Sequence, residues 1–304
     1  MQNKPSEKKF GVLAGMGAYL IWGCLPLYWK LAGDVPDIEI LAYRIIWSFV
    51  FMIILIISFG KRKEVISEIR EVLHKPKTTI AVTMATILIT INWFIFIFAV
   101  NSNNVLAASL GYYINPMVNV LFATLFLKEK LNNGEVLAVV TATTGVIILA
   151  WSHGAVPWAA ISMAVTFSLY GLIKKVIHVN TWTGLTLETM LITPLALIYL
   201  LFFAAHDLMS YNLNINLVLI GTGVATAIPL LLFAVSTKRI PYTMLGFLQY
   251  IAPTIMLVIA VLVFNETFNN TQLVSFIFIW TALIIFTVSN IFLPAKVKKT
   301  VRIK

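Results

Sequence analysis

The sequence predicts an all-α polytopic membrane protein of ten transmembrane helices, built as two inverted five-helix repeats with the N- and C-termini cytoplasmic. Three observations predict it: an apolar composition, ten apolar runs long enough to cross a bilayer, and an internal repeat whose unit holds an odd number of those runs. Of 304 residues 60% are hydrophobic and only 11% charged, and the mean hydropathy is +0.93. Soluble domains are roughly half apolar, so water is not the main solvent of this chain.

The runs fall at 10–31, 38–60, 78–100, 104–127, 134–151, 156–173, 183–204, 215–236, 241–264 and 272–293. Each is close to the roughly 20 residues that a helix needs to cross hydrocarbon while satisfying its own backbone. The first follows Lys4, Lys8 and Lys9 as a signal peptide would, but it is too long and lacks a small-residue cleavage site. It reads as a span. The fifth and sixth are short and close together.

Basic residues check this count, because they accumulate on the cytoplasmic side of each span. All but Lys30 and Arg44 of the 22 Lys and Arg lie in the terminal segments or in every second connection. Those connections hold the cluster from Lys61 to Lys77, then Lys128 and Lys130, Lys174 and Lys175, and Lys238 and Arg239. The alternate connections carry Asp34, Asp37, Asp207 and Glu266. Within the longest basic connection Val65, Ile66, Ile69, Val72 and Leu73 recur at helical spacing. That pattern suits a helix lying along the membrane surface, and equally an ordinary basic loop.

A shift of 137 residues places Tyr113, Ile114 and Pro116 on Tyr250, Ile251 and Pro253, and Glu129, Asn132 and Asn133 on Glu266, Asn269 and Asn270. Apolar composition alone does not produce shared Pro, Glu and Asn. More weakly, Trp22 and Gly23 match Tyr170 and Gly171, and Arg44 matches Glu188. The unit is five spans, so residues 1–151 and 152–304 enter the membrane from opposite sides.

Candidate functional residues follow from cost. A charge inside a bilayer costs at least about 2.5 kcal/mol, and the spans hold Arg44 and Glu188. Arg44 suits attraction of an anionic group or an outer gate; Glu188 suits a coupling proton or an inner gate. A buried structural pair, or snorkelling to headgroups, is the plainer alternative. Pro116, Pro229 and Pro253 break helical hydrogen bonding, which is tolerated where neighbours or a wet cavity compensate. Tyr113 and Tyr250 read as symmetric walls of a central substrate cavity, completed by Asn92, Trp93, Asn115, Asn119 and Gln249. Amides also bind helix to helix, so packing competes with cavity lining at each of them.

Other chemistry is poorly supplied. Cys24 is the single cysteine, which excludes a disulfide framework and a cysteine metal cluster. His74, His153, His178 and His206 fall in or beside loops, Glu129 and Glu266 lie at helix ends as wetted carboxylates, and no phosphate-cradling glycine loop is present. No metal, cofactor, nucleic acid or enzymatic reaction is expected. The expected partners are a small-molecule solute, the lipid bilayer and a coupling proton; the oligomeric state stays open. A secondary-active transporter of the cell membrane is the leading reading, with a receptor or assembly subunit as the alternative.

Several runs sharpen that reading: AYLIWG at 18–23, YRIIWS at 43–48, Asn92 and Trp93, ASLGYYINP at 108–116, ETM at 188–190 and LGFLQYIAPT at 245–254. With them the chain resembles the RarD branch of the EamA-type drug/metabolite transporters over essentially its whole length. The resemblance implies a ten-helix inverted-repeat transporter with a central cavity, often acting as an exporter by alternating access. One departure is Tyr43, where the branch pattern implies His before the Arg, so a pH-sensing role for that His does not carry over.

Overall fold

The computed structural model describes residues 5–101, 105–151, 158–207, 209–263 and 270–292, and every regular element among them is helical. In chain order these are α1 (Pro5–Trp29), a short 3₁₀ turn (Lys30–Ala32), α2 (Asp37–Ser58), α3 (Arg62–His74), α4 (Pro76–Asn101) and α5 (Val105–Leu125). There follow α6 (Asn133–Trp151), α7 (Trp158–Val176), α8 (Thr181–Phe202), α9 (Leu213–Arg239), α10 (Tyr242–Gln249), α11 (Ile251–Leu262) and α12 (Asn270–Phe292). Among the described residues nine segments are long and apolar enough to cross a membrane, one of them running through α10 into α11. The 21-residue α5 is a further long helix.

Local sequence explains where several helices begin. Asn180 accepts from the Trp182 N–H at 3.0 Å and Asn212 from the Ile215 N–H at 3.0 Å, so each side chain satisfies a backbone donor that the helix leaves orphaned. At α6 the arrangement is reciprocal. Glu135 N–H donates to the Asn132 side chain and Asn132 N–H to the Glu135 carboxylate, each at 2.9 Å. These bonds engage the buried Glu135, which no cation pairs with among the described residues.

The helices pack in a pattern that maps onto itself when the first five long helices are exchanged for the last five. α1 packs on α9 and α11 as α7 packs on α4 and α5, and α2 packs on α9 as α8 packs on α4. α2 meets α8, α5 meets α10, and α6 meets α12. α2 and α9 approach tightly where Gly223 faces Trp47: a Cβ there would lie 2.4 Å from the Trp47 carbonyl carbon and oxygen. Backbone meets backbone, as small residues permit between membrane helices. Large apolar side chains such as Leu195 and Ile284 remain more than 60% exposed on the outside of the bundle, where lipid replaces water as the solvent.

Several expectations change here. The ninth span is two helices, because the chain turns at Tyr250, three residues before Pro253. The sixth extends past residue 173 to Val176, which moves Lys174 and Lys175 out of a loop and into the last turn of α7. Arg44 and Glu188 are not the whole set of inner ionisable groups, since Glu39, Glu135 and Lys174 are buried too. The basic connection between α2 and α4 is helical, and Val65 and Val72 bury its apolar face against the bundle. Glu266 and His153 lie outside the described residues.

The Gly223 contact yields a direct check. Gly223→Ala should force α2 and α9 apart and cost about 1–3 kcal/mol, as overpacking does. A lowered midpoint of thermal unfolding in detergent would show it; an unchanged midpoint would mean that the two backbones do not touch.

Candidate functional site

Between the two sets of helices lies a cavity of about 260 Å³. Its wall comes from α1 (Tyr19, Trp22, Leu25, Pro26, Trp29), α2 (Arg44), α4 (Asn92, Trp93, Phe96) and α5 (Tyr112, Asn115). The second set supplies Met163 and Phe167 of α7, Thr226 and Leu230 of α9, and Gln249, Ala252 and Met256 around the α10–α11 break. Seen along the helices, these residues occupy the half of the bundle near the face where α1 ends and α2 begins. Tyr19 is the deepest on α1, roughly 15 Å from Trp29 by helix rise.

Proline positions and the wall coincide. Pro26, Pro116 and Pro253 each lack the N–H that would bond the carbonyl four residues back. Those carbonyls belong to Trp22, Tyr112 and Gln249, all three of which line the cavity. Pro229 does the same to Ala225, next to the wall residue Thr226. Pro26, Pro116, Pro229 and Pro253 thus fall at or beside the wall, whereas Pro194 inside α8 is not among the wall residues.

Among the described residues, Arg44 is the one Asp, Glu, His, Lys or Arg side chain of the wall. Its guanidinium carbon lies 4.8 Å from the Trp29 ring centre and 5.0 Å from that of Trp93, and its Nε donates to Thr226 Oγ1 at 3.1 Å. Asn92 donates from its amide to the Met163 carbonyl at 2.7 Å and to Thr166 at 3.1 Å, tying α4 to α7. Ser168 donates to the Asn115 amide oxygen at 2.9 Å, and Asn119 to that of Gln249 at 2.7 Å. Asn92, Asn115 and Gln249 therefore line the cavity and pack helices at once.

Three expected wall residues sit elsewhere. Tyr113 is buried behind the cavity, edge-on to Phe276, with its hydroxyl donating to the Pro253 carbonyl at 3.3 Å. Tyr250 is fully buried beside Phe247, and Asn119 lies behind Gln249. On a helix adjacent residues point about 100° apart, so Tyr112 and Gln249 face the cavity and the identical pair beside them faces the protein.

Toward the opposite, basic face the bundle is closed. Lys174 donates to Glu188 at 2.6 Å and Tyr170 donates to the other carboxylate oxygen at 3.1 Å, with Lys174 and Glu188 almost fully buried. Lys175 donates to the carbonyls of Thr237 and Ile240 at 3.0 and 2.7 Å. Glu129 accepts from the N–H groups of Tyr242 and Thr243 at 2.7 and 3.0 Å, so a carboxylate of the first half caps α10 of the second. The Tyr242 hydroxyl donates to the Ser168 carbonyl at 2.7 Å. Sequence reasoning left Glu129 as a wetted carboxylate and Lys174 as a loop residue. The signal available was the repeat register, which singled out Glu129 with no partner to assign to it.

The EamA-like transporter family pattern matches residues 9–151. An uncharacterised transporter of Bacillus subtilis (strain 168), YojE, is 47% identical over 94% of this chain and 96% of its own length. Protein RarD of Escherichia coli (strain K12) is 40% identical over 96% of this chain and 99% of its own. The chain belongs to the RarD branch of the EamA-like transporter family. A crystal structure of a chain 21% identical matches with a TM-score of 0.71 over 91% of this chain and 97% of the other, which shows a shared fold. This RarD-branch chain is accordingly a multi-pass cell-membrane protein of a transporter family. At the position where the branch pattern implies His it has Tyr43, buried, whose hydroxyl accepts from the Met209 N–H at 2.9 Å and anchors the connection before α9.

The buried pair can be tested by stability. Lys174→Leu or Glu188→Leu alone should cost about 3–5 kcal/mol by stranding the remaining charge, whereas the double replacement should recover most of that loss. Thermal unfolding of the three purified variants reads this. Single variants as stable as the parent would remove the ion pair from the closed face.

Proposed function

We propose that the chain is a secondary-active transporter that exports a small metabolite or drug-like solute by alternating access. It does so with ten passes in two inverted halves, 1–151 and 152–304, and both termini cytoplasmic. The carrying observation is a cavity walled by both halves and closed on the basic face where Glu129 of the first half accepts from Tyr242 and Thr243 of the second. Charge alternation along the sequence and the exchangeable helix pairing support the inverted repeat. The basic face corresponds to the cytoplasm in this reading, so the cavity is that of an outward-facing state.

Transport then requires the closed face to open while the cavity face shuts. Glu129 on the α10 N-terminus is the contact between the halves that must break, while Lys175 on the α9–α10 turn and Tyr242 on Ser168 tie helices within the second half. Both oxygens of Glu188 are engaged by Lys174 and Tyr170, which supports an inner-gate role better than that of a proton carrier. Pocket size argues for metabolite-sized cargo, because a cavity of about 260 Å³ lies just below the range for drug-sized ligands, roughly 300–1,000 Å³.

Counterflow in proteoliposomes tests the function: labelled solute should accumulate in vesicles preloaded with the same unlabelled solute. A Cys24→Ala protein carrying Glu129→Cys and Thr243→Cys, joined through disulfides by a short bis-methanethiosulfonate cross-linker, should lose exchange and regain it on reduction. Exchange at the parent rate in the joined protein would remove this face as a moving gate.

A further inference from the structure

The charge balance of the cavity narrows what it holds. Among the described residues its wall contains Arg44 and no Asp, Glu, Lys or His. Among the described residues no carboxylate lies within ion-pair distance of Arg44, and its only hydrogen bond uses Nε. Elsewhere the protein neutralises its buried charge, as at Lys174 and Glu188, or engages a carboxylate with backbone donors, as at Glu135. Arg44 is different. A guanidinium held in a low-dielectric site without a counter-charge is costly, and that cost falls when an anion enters with it.

The geometry also says which part of the guanidinium is on offer. Trp29 and Trp93 flank it and Thr226 holds the Nε edge, so the two terminal nitrogens remain, and that fork matches a carboxylate. Held by rings and one hydrogen bond, the side chain loses little further freedom on binding. Beyond Arg44 much of the wall is aromatic, with Tyr19, Trp22, Phe96, Tyr112 and Phe167 among its residues. Deeper still lie Asn115 and Gln249, whose amide oxygens are engaged from behind by Ser168 and Asn119. Their N–H₂ groups are donors, again suited to an electron-rich solute.

We propose that the site takes a compact aromatic carboxylate, its anionic group on the Arg44 fork and its ring against the aromatic wall. This rests on the transporter reading for its meaning, but it is a claim about binding and stands on the cavity itself. A neutral amide of the same shape leaves the Arg44 charge unanswered. An ammonium in its place adds a second positive charge to a wall whose described residues include no acid to receive it.

Three probes with one ring system separate these cases: indole-3-acetate, indole-3-acetamide and tryptamine. Titration calorimetry on purified protein at about pH 7, where a carboxylate is ionised, should give acetate binding on the order of ten-fold or more tighter than the amide, since a hydrogen bond to a charged group is worth about 1.5–3 kcal/mol. Tryptamine should bind weakest. In Arg44→Gln the acetate should fall to the level of the amide while amide binding persists, which shows that the variant is folded; Arg44→Lys should retain only part of the preference. Equal binding of acetate and amide overturns the inference. So does a preference for tryptamine, an acetate preference that survives Arg44→Gln, or no binding by any of the three. Counterflow keeps the two readings apart. Exchange of the amide or amine alone would leave the transporter and sink the anion site, whereas acetate binding without exchange of any solute would do the reverse.

Discussion

A charge in hydrocarbon stays only where something replaces the water it lost, and two cations of this chain meet that demand in opposite ways. Lys174 is answered inside the protein by Glu188, and Tyr170 completes the carboxylate. Around that pair and the Glu129 cap the basic side of the bundle packs shut. Arg44 is answered by two indole rings and one hydroxyl but, among the described residues, by no opposite charge, and around it the bundle stays open as a cavity. One internal charge is thus closed off and the other left accessible.

The same economy governs the backbone. Each proline in a membrane helix leaves a carbonyl without its donor, and a helix facing lipid has nothing to offer in its place. Pro26, Pro116 and Pro253 resolve this by setting the affected carbonyls on wall residues. The break between α10 and α11 belongs to the same set, and it brings Gln249 to the wall. Where helices instead need close contact, Gly223 lets the α9 and α2 backbones touch.

Membrane residence, the extent of most helices and the candidate status of Arg44, Asn92, Trp93, Asn115 and Gln249 were legible in the sequence. Span length, charge alternation and the cost of buried polar groups act along the chain and leave their mark there. What misled was similarity between the repeats. Tyr113 and Tyr250 are identical in register, yet both are buried in packing contacts, Tyr113 against Phe276 and Tyr250 beside Phe247. The wall is made by their non-identical neighbours Tyr112 and Gln249. Lys174 was misplaced for a related reason, since a lysine at a helix end reads as a loop cation whether it reaches water or a buried carboxylate.

By itself the sequence determined the solvent of this protein, its secondary structure and which polar groups have to find company, because hydropathy, helix length and charge are properties of local chain. Only the tertiary structure decided which company they keep. Glu129 meets α10 across 113 positions of sequence and Arg44 meets Thr226 across 182. Partnerships of that span follow from how the helices cross, a matter of shape at backbone contacts such as Gly223 against Trp47, and no periodicity in the chain encodes them.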